Sequence, residues 1–106
     1  MILFRAYVAA NDQSTAEAVA RGYLLVLKRV APFKVKIVQP YWKIHGQYEV
    51  VLESSVPIPG RDRVISDLVS LLGVSPQQLS DTEAIWSEMS EGFPLTGAKW
   101  AHAELS

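Results

Sequence analysis

Hydrophobic and polar positions alternate along the first residues of the chain, which predicts a β-strand over residues 2–10. Every second residue of this strand is apolar and is expected to face the core: Ile2, Phe4, Ala6 and Val8. After a short polar turn, apolar residues recur at helical spacing as far as Pro32. Ser14 and Glu17 have the spacing of a capping box, so we predict that a helix begins at Ser14 and ends before Pro32.

Two extended runs follow, over residues 34–44 and 47–56, and His45-Gly46 separates them. A two-residue connection that contains glycine predicts a tight β-hairpin. Pro40 lies inside the first run, and proline cannot donate a hydrogen bond to a neighbouring strand. The first run is therefore expected to be an edge strand or to carry a bulge.

A second amphipathic helix is predicted over residues 61–72, and Gly73 occupies the position at which helices commonly end. Its apolar positions are expected to be buried: Val64, Ile65, Leu68, Leu71 and Leu72. Ser75 and Pro76 are typical of a helix start, so residues 75–78 are predicted to form a short helical turn.

The last third of the chain allows two interpretations. Ser80 and Glu83 have capping-box spacing, which favours a helix over residues 81–91. A short apolar run, a Gly/Pro-containing loop and a clearly alternating final strand over residues 98–105 favour a hairpin with a wide loop instead. We predict the hairpin.

The resulting order of strand, helix, strand, strand, helix and strand is the βαββαβ plan of ferredoxin-like domains. We therefore predict an α+β fold in which two helices cover one face of an antiparallel sheet, with a C-terminal hairpin extension. In this plan the second strand is an edge strand, where Pro40 is tolerated. The 106 residues suffice for a single domain over residues 1–106.

Composition excludes several classes of protein. The chain contains no cysteine, which excludes disulfide frameworks, thiol catalysis and thiolate metal sites. No apolar run approaches the roughly 18 residues of a membrane span, and the first residues do not resemble a secretory signal. We expect a cytoplasmic protein.

Charge is distributed unevenly along the chain. Residues 1–45 carry seven basic and two acidic residues, whereas residues 46–106 carry three basic and nine acidic residues. Such polarity can steer a charged partner, although folding can also interleave the two halves. The overall net charge of −1 offers little attraction to phosphates, so nucleic-acid binding is not expected.

Catalytic and metal-binding motifs are absent from the sequence. There is no glycine-rich phosphate loop and no nucleophile elbow around a serine. His45 and His102 belong to different predicted segments and would need a carboxylate between them to share a metal. We predict no enzymatic activity, no cofactor and no tightly bound metal.

The face of the sheet opposite the helices remains as a candidate recognition surface. Aromatic and acidic residues of the C-terminal half are the predicted partner-binding residues: Trp86, Glu88, Glu91, Phe93, Trp100, His102 and Glu104. Both tryptophans have an equally plausible place in the core. Leu25 is expected to be exposed on the first helix, either as an isolated surface leucine or as a contact for a partner.

The end of the chain has a recognisable pattern, with Ala-Ile-Trp at residues 84–86 and Trp-Ala-His-Ala-Glu-Leu at residues 100–105 after a Gly/Pro-containing loop. It resembles the tail of small ferredoxin-like bacterial immunity proteins of polymorphic toxin and contact-dependent inhibition systems. The resemblance implies a non-catalytic protein, and we expect a monomer or weak dimer. It also implies binding to one cognate toxin of basic character, so that the toxin's active or substrate-binding surface is occluded.

A dimeric α/β-barrel is the alternative, in which two sheets pack face to face around a small-molecule cavity. Such a dimer requires a largely apolar open sheet face. The predicted face carries Arg5, Lys36, Glu49 and Glu53, which argues against this alternative.

Overall fold

The described part of the chain forms six β-strands and two α-helices. A computed structural model describes residues 1–55, 63–72, 77–80, 82–86, 94–95 and 97–105, with only the backbone of residues 77–80 described. In chain order the elements are β1 (Ile2–Ala9), α1 (Gln13–Leu27), β2 (Lys34–Pro40), β3 (Gln47–Ser54), α2 (Val64–Leu72), β4 (Gln77–Ser80), β5 (Glu83–Trp86) and β6 (Ala98–Leu105).

The strands form one sheet in the order β2-β3-β1-β6-β5-β4, and every neighbouring pair is antiparallel. The predicted α+β class is therefore confirmed, as is the edge position of β2. The extension is larger than predicted, because β5 and β4 continue the sheet beyond β6.

The strand β4 replaces part of a predicted helical turn. We expected residues 75–78 to be helical, but Gln77 and Gln78 lie in β4 and pair with Ile85 and Ala84 of β5. The prediction of helix at these two glutamines was wrong, because pairing with β5 supplies backbone hydrogen bonds that a local capping pattern does not reveal.

The hairpin interpretation of residues 81–91 is confirmed where the structure describes them. Glu83–Trp86 form β5, which pairs with β6 so that Ala84 lies opposite Ala103 and Trp86 opposite Ala101. Residues 87–93 lie outside the described part of the chain.

The connection between β2 and β3 is longer than the predicted two residues. β2 ends at Pro40 and β3 begins at Gln47, so residues 41–46 form the turn. Gly46 has a φ of 83°, a left-handed conformation that glycine adopts without a steric penalty. A register shift between Val35 and Ile37 also places a bulge in β2.

Helix α1 begins before the predicted Ser14. Asp12 is its N-cap, and one carboxylate oxygen, Oδ1, accepts a hydrogen bond of 2.7 Å from the backbone N–H of Thr15. This bond satisfies one of the helix's unpaired N–H groups and leaves the predicted Ser14–Glu17 capping box without that role. The helix ends at Leu27, several residues before Pro32, and the N–H of Ala31 still donates to the carbonyl of Leu27.

Removal of this cap should destabilise the protein in a pH-dependent way. The hydrogen bond from Thr15 lowers the pKa of Asp12, so the cap's contribution is present above the ordinary aspartate pKa and is lost as the pH falls through the folded-state value. We expect Asp12→Ala to lower the Tm at neutral pH, and this difference from the wild type should shrink below about pH 4. Ser14→Ala is the matched control and should change the Tm little. An equal loss of Tm in both variants would contradict Asp12 as the cap.

One hydrophobic core joins the sheet to both helices. Tyr23 and Leu27 of α1 belong to the same buried cluster as Leu68 and Leu72 of α2. The sheet contributes its core-facing residues, which include Ile2, Phe4, Ala6, Val8, Val50 and Leu52. Since both helices share this core, their buried sides face one side of the sheet and leave the opposite side to other contacts.

Candidate functional site

The sheet face opposite the helices, which we call the open face, carries side chains of the four strands β3, β1, β6 and β5. The register places Tyr7 between Glu49 of β3 and Trp100 of β6. The next row places Arg5 between Val51 and His102, and the row after that places Leu3 between Glu53 and Glu104. Glu83 and Ile85 of β5 complete the face opposite Glu104 and His102.

Four rings stack in a continuous series on the open face: Tyr41, Tyr7, Trp100 and His102. The ring centroids of Tyr7 and Tyr41 lie 4.1 Å apart, and those of Tyr7 and Trp100 lie 5.1 Å apart. Trp100 and His102 follow at 5.8 Å. Tyr7 and Trp100 meet because they are register partners, whereas Tyr41 arrives from the turn after β2. We call this series the aromatic stack.

The stack lies beside charged residues, and this affects its central tyrosine. Partial burial raises the pKa of Tyr7, and the neighbouring Tyr41 and Glu49 raise it further. Tyr7 is therefore a neutral phenol at physiological pH. The stack offers half-buried aromatic surface with hydroxyl groups at one end, which is the amphipathic character typical of protein interfaces.

The carboxylates at the β2–β3 end of the open face have internal cationic partners. Arg5 Nε lies 3.4 Å from Glu49 Oε2. Lys34 and Lys36 place their Nζ atoms 3.4 Å and 3.7 Å from the two oxygens of Glu53. Folding thus interleaves the basic and acidic halves of the chain here, as one of the two interpretations of the charge pattern predicts.

The opposite end of the open face is acidic. Glu83 and Glu104 are register partners on β5 and β6, and Glu104 is exposed. His102 Nε2 lies 2.9 Å from Glu83 Oε2. Two carboxylates directly across a strand pair repel each other. A positively charged group placed near them would reduce this repulsion.

The predicted partner-binding residues divide between the open face, the core and the part of the chain that is not described. Trp100, His102 and Glu104 lie together on the open face. Trp86 is completely buried in the core, with its ring 6.1 Å from that of Phe4, so the core alternative is the one observed for this tryptophan. A surface role for Trp86 is therefore corrected to a packing role. Glu88, Glu91 and Phe93 lie outside the described residues.

The turn after β2 carries exposed apolar residues that sequence analysis missed. Trp42 is 83% exposed and Ile44 is 46% exposed, and Lys43 Nζ lies 5.1 Å from the centre of the Trp42 ring. Trp42 directly follows Tyr41 of the aromatic stack. Pro40 is the residue of the sequence that could have indicated these exposed positions. The strand β2 ends at this proline, so Tyr41 and Trp42 lie in the turn that follows.

Leu25 is 63% exposed on α1, as predicted. It belongs to a helix that packs on the core face of the sheet, so it is remote in the fold from the aromatic stack. The exposed leucine therefore provides a comparison site on the helical side of the molecule.

No family model, curated protein or solved structure matches the chain. Within the described residues, no helix is long and apolar enough to cross a membrane.

Proposed function

We propose that this protein is a non-catalytic binding protein that docks a partner protein on its open face, and that it acts as a bacterial immunity protein. Its partner would be a cognate toxin, bound in the cytoplasm so that the toxin's active or substrate-binding surface is occluded. The observation that carries the proposal is the aromatic stack on the open face, together with Trp42, which is 83% exposed in the turn that supplies Tyr41. Tyrosine and tryptophan are among the residues most enriched at the positions that dominate binding energy.

The aromatic stack is suited to binding because its rings are held in place before a partner arrives. Tyr7 contacts a ring on each side, Tyr41 and Trp100. Side chains that are already ordered lose less conformational entropy when an interface forms. The ion pairs Arg5–Glu49 and Lys36–Glu53 flank this apolar centre, which gives it the polar rim common to protein interfaces.

Charge supports a basic partner at the β5–β6 end of the open face. Glu83 and Glu104 lie side by side there, in the half of the chain that carries nine acidic and three basic residues. An acidic surface accelerates association with a basic protein, most strongly at low ionic strength. Many toxins that act on nucleic acids are basic, which fits an immunity protein that covers their substrate surface.

The topology is compatible with the resemblance to ferredoxin-like immunity proteins. We infer that β2-β3-β1-β6 with α1 and α2 forms a ferredoxin-like unit, to which β4 and β5 are added at the β6 side. A face-to-face dimer around a small molecule is less favoured, because it would remove the Arg5–Glu49 and Lys36–Glu53 pairs from water at a high desolvation cost.

The test is binding and protection against the toxin domain encoded by the gene immediately upstream. The full chain should form a complex with that domain and protect cells that express it. Glu104→Lys reverses a charge on the open face and should slow association, with the largest effect at low salt. Glu17→Lys makes the same charge change on the exposed side of α1 and is the matched control.

Absence of both complex and protection would contradict the immunity function. A complex that Glu104→Lys and Glu17→Lys affect equally would instead contradict the open face as the interface. Dimerisation of the chain alone, lost when the open face is altered, would favour the face-to-face dimer.

A further inference from the structure

We propose that Glu83, His102 and Glu104 form a binding site for a divalent transition-metal ion of the zinc class. The site lies at the β5–β6 end of the open face. The inference does not depend on the immunity function, because it rests on three side chains and their mutual geometry.

The strand register brings the three side chains together. Glu83 lies directly opposite Glu104, and His102 lies two residues before Glu104 on the same strand, so all three side chains leave the same face. One ligand atom from each residue can be chosen such that all three lie within 4.8 Å of one another. The sequence predicts no tightly bound metal, and this proposal departs from that prediction because the fold places two carboxylates beside His102.

Small side-chain movements would bring the three ligand atoms to coordination distances. Ligand atoms about 2.1 Å from a zinc ion lie about 3.4 Å apart in tetrahedral geometry. His102 Nε2 and Glu83 Oε2 are 2.9 Å apart in a hydrogen bond, and an ion bound at Nε2 would replace the proton of this bond and separate the two atoms by about 0.5 Å. Glu104 is exposed and can rotate toward them by a change of side-chain rotamer, without backbone movement.

The chemistry of the three ligands selects the class of ion. One imidazole and two carboxylates suit zinc and its neighbours among the transition metals, whereas magnesium prefers six oxygen ligands. A divalent cation would also neutralise the repulsion between the paired carboxylates. Arg5, the register partner of His102, has its Nε 3.4 Å from Glu49, so this guanidinium already has a carboxylate partner elsewhere.

The histidine is held in position before any ion binds. The side chain of His102 is only 15% exposed, and its ring stacks against Trp100 at 5.8 Å. Ordered ligands lower the cost of assembling a metal site. Three protein ligands leave at least one coordination position for water or for a side chain of a bound protein.

The test is a calorimetric titration of the metal-stripped full chain with Zn²⁺ and, separately, with Mg²⁺. We expect one equivalent of Zn²⁺ to bind, Mg²⁺ to bind far more weakly, and Zn²⁺ to raise the Tm. His102→Gln, Glu83→Gln and Glu104→Gln should each weaken Zn²⁺ binding at least about tenfold. Matched controls are His45→Gln, in the turn after β2, and Glu53→Gln, a carboxylate of the open face paired with lysines.

Substitution of Co²⁺ for Zn²⁺ gives a second measurement, because its visible absorption reports nitrogen and oxygen ligation. The His102→Gln variant should change this spectrum, and the His45→Gln variant should not. Glu104→Gln is a conservative change at an exposed position, so it keeps the test decisive if another variant fails to fold. The proposal is overturned if millimolar Zn²⁺ does not bind, or if binding is unchanged in Glu104→Gln.

Discussion

Replacing Trp86 by alanine is expected to lower the free energy of unfolding by about 3–5 kcal/mol. The indole is completely buried in the core, with its ring 6.1 Å from that of Phe4, so its removal leaves a cavity that the fold can fill only in part. Urea denaturation measures the effect, and the midpoint should fall with little change in the slope of the transition.

Two further variants test whether the loss of stability in Trp86→Ala comes from the core position of this side chain. Trp86→Phe keeps much of the aromatic volume and should cost less than Trp86→Ala. Trp100→Ala removes the same side chain type from a half-buried position on the open face and should also cost less. A larger loss in Trp100→Ala than in Trp86→Ala would mean that β5 does not pack on the core as described.

Replacing Trp42 by alanine is expected to weaken partner binding by about 2 kcal/mol or more, roughly 30-fold in Kd, while the Tm stays unchanged. The ring is 83% exposed, so the folded chain loses little packing when it is removed. In a complex the same ring would be buried, and its truncation would remove the binding free energy of that contact. Isothermal titration with the toxin domain measures the change.

Leu25→Ala is the matched control for Trp42→Ala, because it removes another exposed apolar side chain from the helical side of the molecule. Its binding should equal that of the wild type. The opposite pattern, with Leu25→Ala impaired and Trp42→Ala unaffected, would move the interface to α1 and its basic surroundings.

The strands that sequence analysis located best are those with one buried and one exposed face. The alternation in β1 and β6 identified both faces correctly, because a hydrophobic period of two matches the pleat of a strand and not the 3.6-residue turn of a helix. β4 was missed since its four residues, Gln-Gln-Leu-Ser, carry no such alternation and follow a local helix-start pattern. Its pairing with β5 is a tertiary contact that local patterns do not encode.

The alternation of buried and exposed residues along β6 also made part of the candidate site predictable. Trp100, His102 and Glu104 share a face by alternation alone. The stacking of Tyr41 on Tyr7 and the hydrogen bond between Glu83 and His102 depend on which residues lie opposite each other across strands. Register is set by the whole sheet, and a shift of one residue would move every side chain to the other face, so neither contact follows from the local sequence.

The edge strand β2 is protected against pairing with a strand of another molecule. Pro40 lacks an N–H, the bulge between Val35 and Ile37 interrupts the strand's regular shape, and the Gln13 side chain of α1 donates to the carbonyl of Val38 at 2.8 Å. Lys34 and Lys36 add positive charge along the same strand. These features oppose the addition of a further strand, which is the usual route from an open sheet edge to fibrillar aggregates. Even in concentrated solutions, we therefore expect no extended β-sheet assembly to grow from the β2 edge.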